Sequence, residues 1–328
     1  MKNSSAIGLL IGLAALVLLV AWQGLATVIG LLGDAGWSLL LVCLFAPPQQ
    51  LLGSEAWRRL FPAGRRPGAA RTLFASWMGA AVNTLLPVAT IGGEVVKARV
   101  LTLWSVPGID TASTAVVDKT VQAIVVLVWS VTGIAILAAV APDGRVVTGA
   151  IIGAVLLALG IGGFVAVQVG ASLPFFARAA ARVAGTDKWD KLVRGAADLN
   201  AAIRAIYRRP GAVVLGCALR LTSRLVLVGE VLLAAHLMGH PIGLAEAVLI
   251  KGLVDGLRGV SFAVPAGLGV QEGGYIGVGI LLGLPAELML AISLATRVRE
   301  IVPDIPFLIA WQHTEGRAWW RRRARPAP

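Results

Sequence analysis

Long apolar runs separated by short clusters of charge set the pattern of this chain. Apolar residues fill about 6–30, 36–53, 109–140, 147–169, 212–237 and 286–312. These lengths reach or approach the roughly 20 residues a helix needs to cross a bilayer core. Four shorter apolar pieces lie between them as two pairs, 73–87 with 92–105 and 243–264 with 268–284. The first pair flanks the broken stretch NTLLPVATIGGEVVKARVL, Asn83 to Leu101, and the second flanks VPAGLGVQEGGY. At 1.5 Å per residue the pieces of the first pair reach roughly 22 Å, short of a core of roughly 30 Å. They fit a re-entrant hairpin that turns near the midplane. The second pair fits either a hairpin or two tilted spans.

The expected fold is therefore an all-α polytopic membrane protein with about six full spans and two broken or re-entrant helical hairpins. Helices are favoured because lipid offers no partner to a backbone N–H or C=O. The alternation of a transmembrane β-barrel is not seen. Composition agrees: 57% of the 328 residues are hydrophobic and 14% charged. After Lys2 the chain turns apolar with no small-residue cleavage site, so its start reads as a first membrane helix, not a signal peptide.

The net charge of +12 reads as positive-inside bias. Nucleic-acid binding would need a basic soluble domain, for which no room exists. The basic residues gather in 54–72 (Arg58, Arg59, Arg65, Arg66, Arg71), in a polar loop at 171–211, and in a tail at 313–328 that contains WWRRRAR. Counting spans places all three on the cytoplasmic side, with both termini. Cys43 and Cys217 sit in apolar runs as small buried residues and imply neither disulfide nor metal.

A repeat is visible. Pro87 and Glu94 are seven residues apart, as are Pro265 and Glu272, at an offset of 178. The same offset carries Pro107 onto Pro285 and Lys119 onto Arg297. One membrane domain, 1–328, is expected, built of two inverted-topology repeats at about 6–140 and 147–312. Broken helices that meet near the midplane form the substrate sites of many transporters, and irregular backbone survives there only where protein or a water-filled cavity covers it.

Charges inside apolar segments mark the candidate site. Glu94 and Lys97 can pair at i and i+3. Asp118 and Lys119 lie in the helix after the first hairpin. Arg220 and Arg224 share a face. Lys251, Asp255 and Arg258 follow a 4-then-3 spacing. Arg297, Arg299, Glu300 and Asp304 lie in the last helix beside Pro303 and Pro306, which should kink it. Glu94 and Glu272 each begin a helix, where a carboxylate serves either the dipole or a proton. No nucleophile elbow, phosphate loop or metal spacing is found.

The stretches NTLLPVATIGGEVVKARVL, TAVVDKTVQ and SFAVPAGLGVQEGGY with LATRVREIVPDIP resemble the flippase-like family that includes the transmembrane region of lysylphosphatidylglycerol synthases, in particular its hopanoid-biosynthesis-associated branch. The resemblance implies an inner-membrane protein that moves or handles amphipathic lipids. It carries over Asn83, Pro87, Gly93, Glu94, Lys119, Pro265, Gly267, Glu272 and Arg297. Bifunctional members append a soluble aminoacyl-transferase domain. This chain stops soon after its last helix, so lysyl transfer is not expected and the chain reads as no enzyme.

The expected activity is lipid translocation, without cofactor, through a polar cavity between the two hairpins. Phospholipid, polyprenyl phosphate or hopanoid are the candidate lipids. The competing reading is a lipid-modifying membrane enzyme, or a subunit of a lipid (hopanoid) biosynthesis complex.

Overall fold

The computed structural model describes residues 30, 33, 36–86, 92–140, 144–169, 188–261, 264 and 267–323. Among them are ten α-helices and no strand. The expected first helix at 6–30, apart from its last residue, lies outside the described residues, as do Pro87 and Pro265.

A 3-10 helix, Gly36–Phe45, runs directly into α1, Ala46–Leu60. The apolar run predicts one helix ending near 53. Instead the backbone tightens first, and α1 starts with a proline in its first turn, where a missing N–H costs nothing. The helix then continues past 53, because Glu55 takes hydrogen bonds from Arg58 and Arg59 one turn on, each at 2.5 Å.

The first broken pair is α2 (Ala69–Leu85) and α3 (Gly92–Leu103). Two long helices follow, α4 (Gly108–Val140) and α5 (Gly144–Val169). The second half holds α7 (Pro210–Leu237), α8 (Leu244–Val260), α9 (Val270–Leu281) and α10 (Ala286–Arg323), after a connecting α6 (Lys188–Tyr207). α4, the 22 residues Val147–Gln168 of α5, and α7 are long and apolar enough to cross a membrane. The α5 span buries Gln168 at its end but leaves Ile152, Leu156 and Leu159 exposed, as a helix facing lipid would.

Three expectations need correction. The 171–211 segment is not all loop, since α6 occupies Lys188–Tyr207. Its apolar side buries Ile203 and Ile206. Tyr207 Oη donates to Gln168 Oε1 at 2.9 Å, and the Arg209 guanidinium donates to the carbonyls of Leu60 and Phe61 at 2.6 and 3.1 Å. The basic tail is helical to Arg323, because α10 simply continues. Cys43 and Cys217 are half-buried free thiols rather than fully buried ones.

Two apolar cores result. One joins α1, α2, α3, the start of α4 and α6 around Trp57, Leu60, Val100 and Val121. The other joins the 3-10 segment, α7, α8, α9 and α10 around Val231, Ile250, Met289 and Ile292. Small residues set the closest approaches. A Cβ on Gly79 would stand 2.5 Å from the Gly93 carbonyl oxygen, and one on Gly252 would stand 2.9 Å from the Trp129 carbonyl oxygen. Only glycine lets α2 meet α3, and α4 meet α8, so closely.

α4 packs along α8, and α10 packs along α2. α3 and α9 are each 12 residues long and begin 178 positions apart, as do α4 and α10.

Candidate functional site

The charges foreseen inside apolar segments, Asp304 apart, gather into two networks, one in each core. The first is assembled where α3 and α4 meet α7. Glu94 lies in the first turn of α3 and Lys97 one turn later. The Lys97 ammonium is 2.5 Å from both Glu94 Oε2 and Asp118 Oδ2 and stands 4.6 Å from the centre of the Trp57 ring. Asp118 is fully buried, and Arg220 from α7 grips it from the other side, with donor distances of 2.7 to 3.1 Å. Gln122 donates to Asp118 at 3.1 Å and to Glu94 at 3.2 Å, and Lys119 lies 3.8 Å from Glu94. Asn83 closes the network from α2. Its Oδ1 accepts the Gly93 N–H at 2.8 Å, which fastens the end of α2 over the start of α3.

A buried carboxylate between two cations is the arrangement that makes ionic burial tolerable, because the desolvation of each ion is offset by its neighbours. The second network repeats that arrangement at Glu230. It is fully buried and receives Lys251 from α8 at 3.0 Å and Arg299 from α10 at 2.6 Å. Beside it, Glu272 caps its own helix by accepting the Gly269 N–H at 2.8 Å, and also accepts Arg297 Nε at 2.9 Å. Arg297 donates to the Gly267 carbonyl at 3.0 Å and to Glu300 at 3.2 Å. Glu300 takes Arg258 at 2.8 Å, and Asp255 takes Arg224 at 2.7 Å.

Thirteen of the fifteen residues singled out from the sequence are therefore placed. Asn83, Gly93, Glu94, Lys97, Asp118, Lys119 and Arg220 fall in the first network. Arg224, Arg258, Gly267, Glu272, Arg297 and Glu300 fall in the second. Pro87 and Pro265 lie outside the described residues. Lys251, Asp255 and Arg258 share a helix face but reach different elements, α7 for the first two and α10 for the third.

Sequence reasoning missed Glu230, Trp57 and Gln122. A single acid within the apolar run of α7 was the available signal for Glu230. Trp57 and Gln122 carry no signal of that kind.

The most accessible charges of the two networks are cations, although Lys97, Lys251, Arg297 and Arg299 are only 5 to 9% exposed. The carboxylate side chains are 0 to 13% exposed, whereas Lys119 is 34%, Arg258 30%, Arg224 28% and Arg220 16% exposed. The second network holds four carboxylates and five cations. What the site offers to a visitor is positive charge.

Apolar helices long enough to span a bilayer, wrapped around buried ionic networks, define a helical membrane protein. The chain belongs to the family of the lysylphosphatidylglycerol synthase TM region, which matches residues 5–305. That family ties it to the handling of lipids. No curated protein and no solved structure matches the chain.

Proposed function

We propose that this protein is a lipid translocase in which an anionic headgroup moves along the accessible cations of the two networks while the apolar tails stay in lipid. The observation that carries the reading is that the most accessible charges are the cations Lys119, Arg258, Arg224 and Arg220, at 16 to 34% exposed, while no carboxylate of the two networks exceeds 13%. Guanidinium and ammonium groups in a largely apolar surround bind phosphate oxygens strongly. Phospholipid and polyprenyl phosphate both match this chemistry. A hopanoid of the branch that the motifs resemble matches it when its headgroup is anionic.

The proposed architecture is two inverted repeats with about six spans and two hairpins, in a bacterial inner membrane with both termini cytoplasmic. Three features support it. The helix starts keep the offset of 178 residues. Glu94 with Lys119, and Glu272 with Arg297, are ion pairs at equivalent positions. The α4–α8 and α10–α2 contacts exchange partners as a two-fold axis in the membrane plane requires. No catalytic role is assigned, and no cofactor.

The test is lipid movement by the purified protein in phosphatidylcholine vesicles carrying labelled phosphatidylglycerol, polyprenyl phosphate or a hopanoid analogue. Movement of the phosphate-bearing lipids is expected. It should slow several-fold in a Lys119→Gln/Arg258→Gln variant whose unfolding temperature is unchanged. No movement of any lipid by folded protein would overturn the reading and leave a subunit of a lipid-synthesis complex.

A further inference from the structure

One buried acid belongs to neither network. Asp304 is 6% exposed in α10. The other carboxylates buried among the described residues, Asp110, Asp118, Glu230, Asp255 and Glu272, each have a Lys or Arg nitrogen within 4.0 Å. Asp304 has none. Its Oδ1 accepts the indole N–H of Trp77 from α2 at 2.9 Å, and the Thr84 hydroxyl is its second neutral partner.

The surroundings supply no counter-charge. Arg299 and Glu300, on the same helix, act on it through their charge, and both are engaged in the second network. Of the elements packed on α10, α9 brings Glu272, bound to Arg297. α7 brings Arg220, Arg224 and Glu230, bound to Asp118, Asp255 and Lys251. α3 brings Glu94 and Lys97, held by each other and Asp118, and Arg99, held by Glu315. α1 brings Glu55, Arg58 and Arg59, which bind one another. The 3-10 segment brings the Cys43 thiol, and α2 only Arg71 in its first turn.

The backbone at this point is built to bend. Pro303 and Pro306 flank Asp304 inside α10, so two main-chain N–H groups are missing within four residues. Phe307 stacks on Trp77 at 4.1 Å and touches Phe74 at 5.6 Å, which makes the α2–α10 seam an aromatic contact closed by one carboxyl. The matching seam is different. The residue 178 positions before Asp304 is Val126, packed against Gly259 of α8. At the position equivalent to Asp304 the α4–α8 seam therefore carries an apolar residue, not an acid.

We propose that Asp304 is a proton-binding site that gates the α2–α10 seam. With the proton on, the acid is neutral, its carbonyl oxygen keeps the Trp77 N–H, and the seam stays dry. With the proton off, a lone carboxylate in an apolar seam must recruit water or a cation, and α10 opens at its two prolines. The chemistry is proton gain and loss at one oxygen, with no other bond changed. The gate deepens the translocase reading and rests on it for its purpose, though its existence does not depend on transport.

Infrared difference spectra of the full chain in lipid nanodiscs, recorded across a pH titration, test it. A carbonyl band of a protonated carboxylic acid is expected in the wild-type protein, absent from Asp304→Asn. Trp77→Phe, which removes the indole donor, should shift that band even if Asp304→Asn does not fold. In vesicles with labelled phosphatidylglycerol, the wild-type rate should vary several-fold with pH and the Asp304→Asn rate should not. If neither variant alters the acid bands, the proposal falls whatever the transport rate. If the band behaves as described but no lipid moves, the proton site stands and the translocase reading falls.

Discussion

Arg220 and Arg224 are one turn apart on α7, yet they bind carboxylates in different networks: Arg220 holds Asp118 of α4 at 2.7 Å and Arg224 holds Asp255 of α8 at 2.7 Å. α7 is thus the element through which the two buried ionic groups touch. Removing one partner of a buried pair strands the other. Arg220→Ala should therefore lower stability by about 3 kcal/mol. Arg224 is the more exposed of the two, so Arg224→Ala should lower stability by less. Unfolding in detergent, followed by helix content, checks the order. Adding Asp118→Asn to Arg220→Ala should recover part of the loss, and the cycle gives the coupling.

How much of this could be read beforehand differs between helix and contact. α4 and α7 announce themselves by length and apolarity, and the spacing of Pro87, Glu94, Pro265 and Glu272 already contained the 178-residue register that the helix starts keep. The choice between 3-10 and α backbone in Gly36–Phe45 was not readable, because apolar composition suits both. α6 was readable in principle. Leu199, Ile203 and Ile206 fall at helical spacing, but the arginines among them suggested a loop. Partnership across helices was hidden. Lys251 and Arg299 were visible as intramembrane charges, but nothing local shows that one acid on α7, Glu230, lies between them.

The two helix-start glutamates should not respond alike. Glu272 is fully buried and binds both the Gly269 N–H and Arg297, whereas Glu94 is partly accessible and shares Lys97 with Asp118. Glu272→Gln leaves a buried guanidinium with less opposing charge. Glu94→Gln leaves Lys97 with Asp118. The Glu272 variant should lose more stability, by about 1–3 kcal/mol, as measured by parallel unfolding curves. Equal losses would show that the second network is looser than its hydrogen bonds imply.

Arg209 ties the α6–α7 junction to the end of α1 through two carbonyl contacts. Arg209→Ala removes both and leaves the carbonyls of Leu60 and Phe61 short of a donor. The global fold should survive, because Ile203 and Ile206 remain packed. Local opening should increase, since segments held by few contacts unfold first. Limited trypsin digestion reads this directly: cleavage at Arg204 and Arg208 should accelerate several-fold over wild type, with the unfolding temperature little changed.

The α4–α8 seam offers the sharpest steric test. A side chain at Gly252 collides with the Trp129 carbonyl oxygen and with Gly133, all backbone atoms that cannot swing aside, whereas a Cβ at Gly153 on α5 meets nothing within 4 Å. Gly252→Leu should therefore separate the two helices and lower stability by at least about 1–3 kcal/mol, the usual range for overpacking. Gly153→Leu, on a face that already exposes Ile152 and Leu156, should change it by less than about 0.5 kcal/mol. Gly252→Ala should fall between them, because its single methyl still meets backbone at 2.9 Å. Unfolding temperatures of the three variants in one detergent decide the matter. If Gly252→Leu is as stable as Gly153→Leu, α4 and α8 are not held in the close contact described, and the pairing of the α4–α8 and α10–α2 seams loses its structural basis.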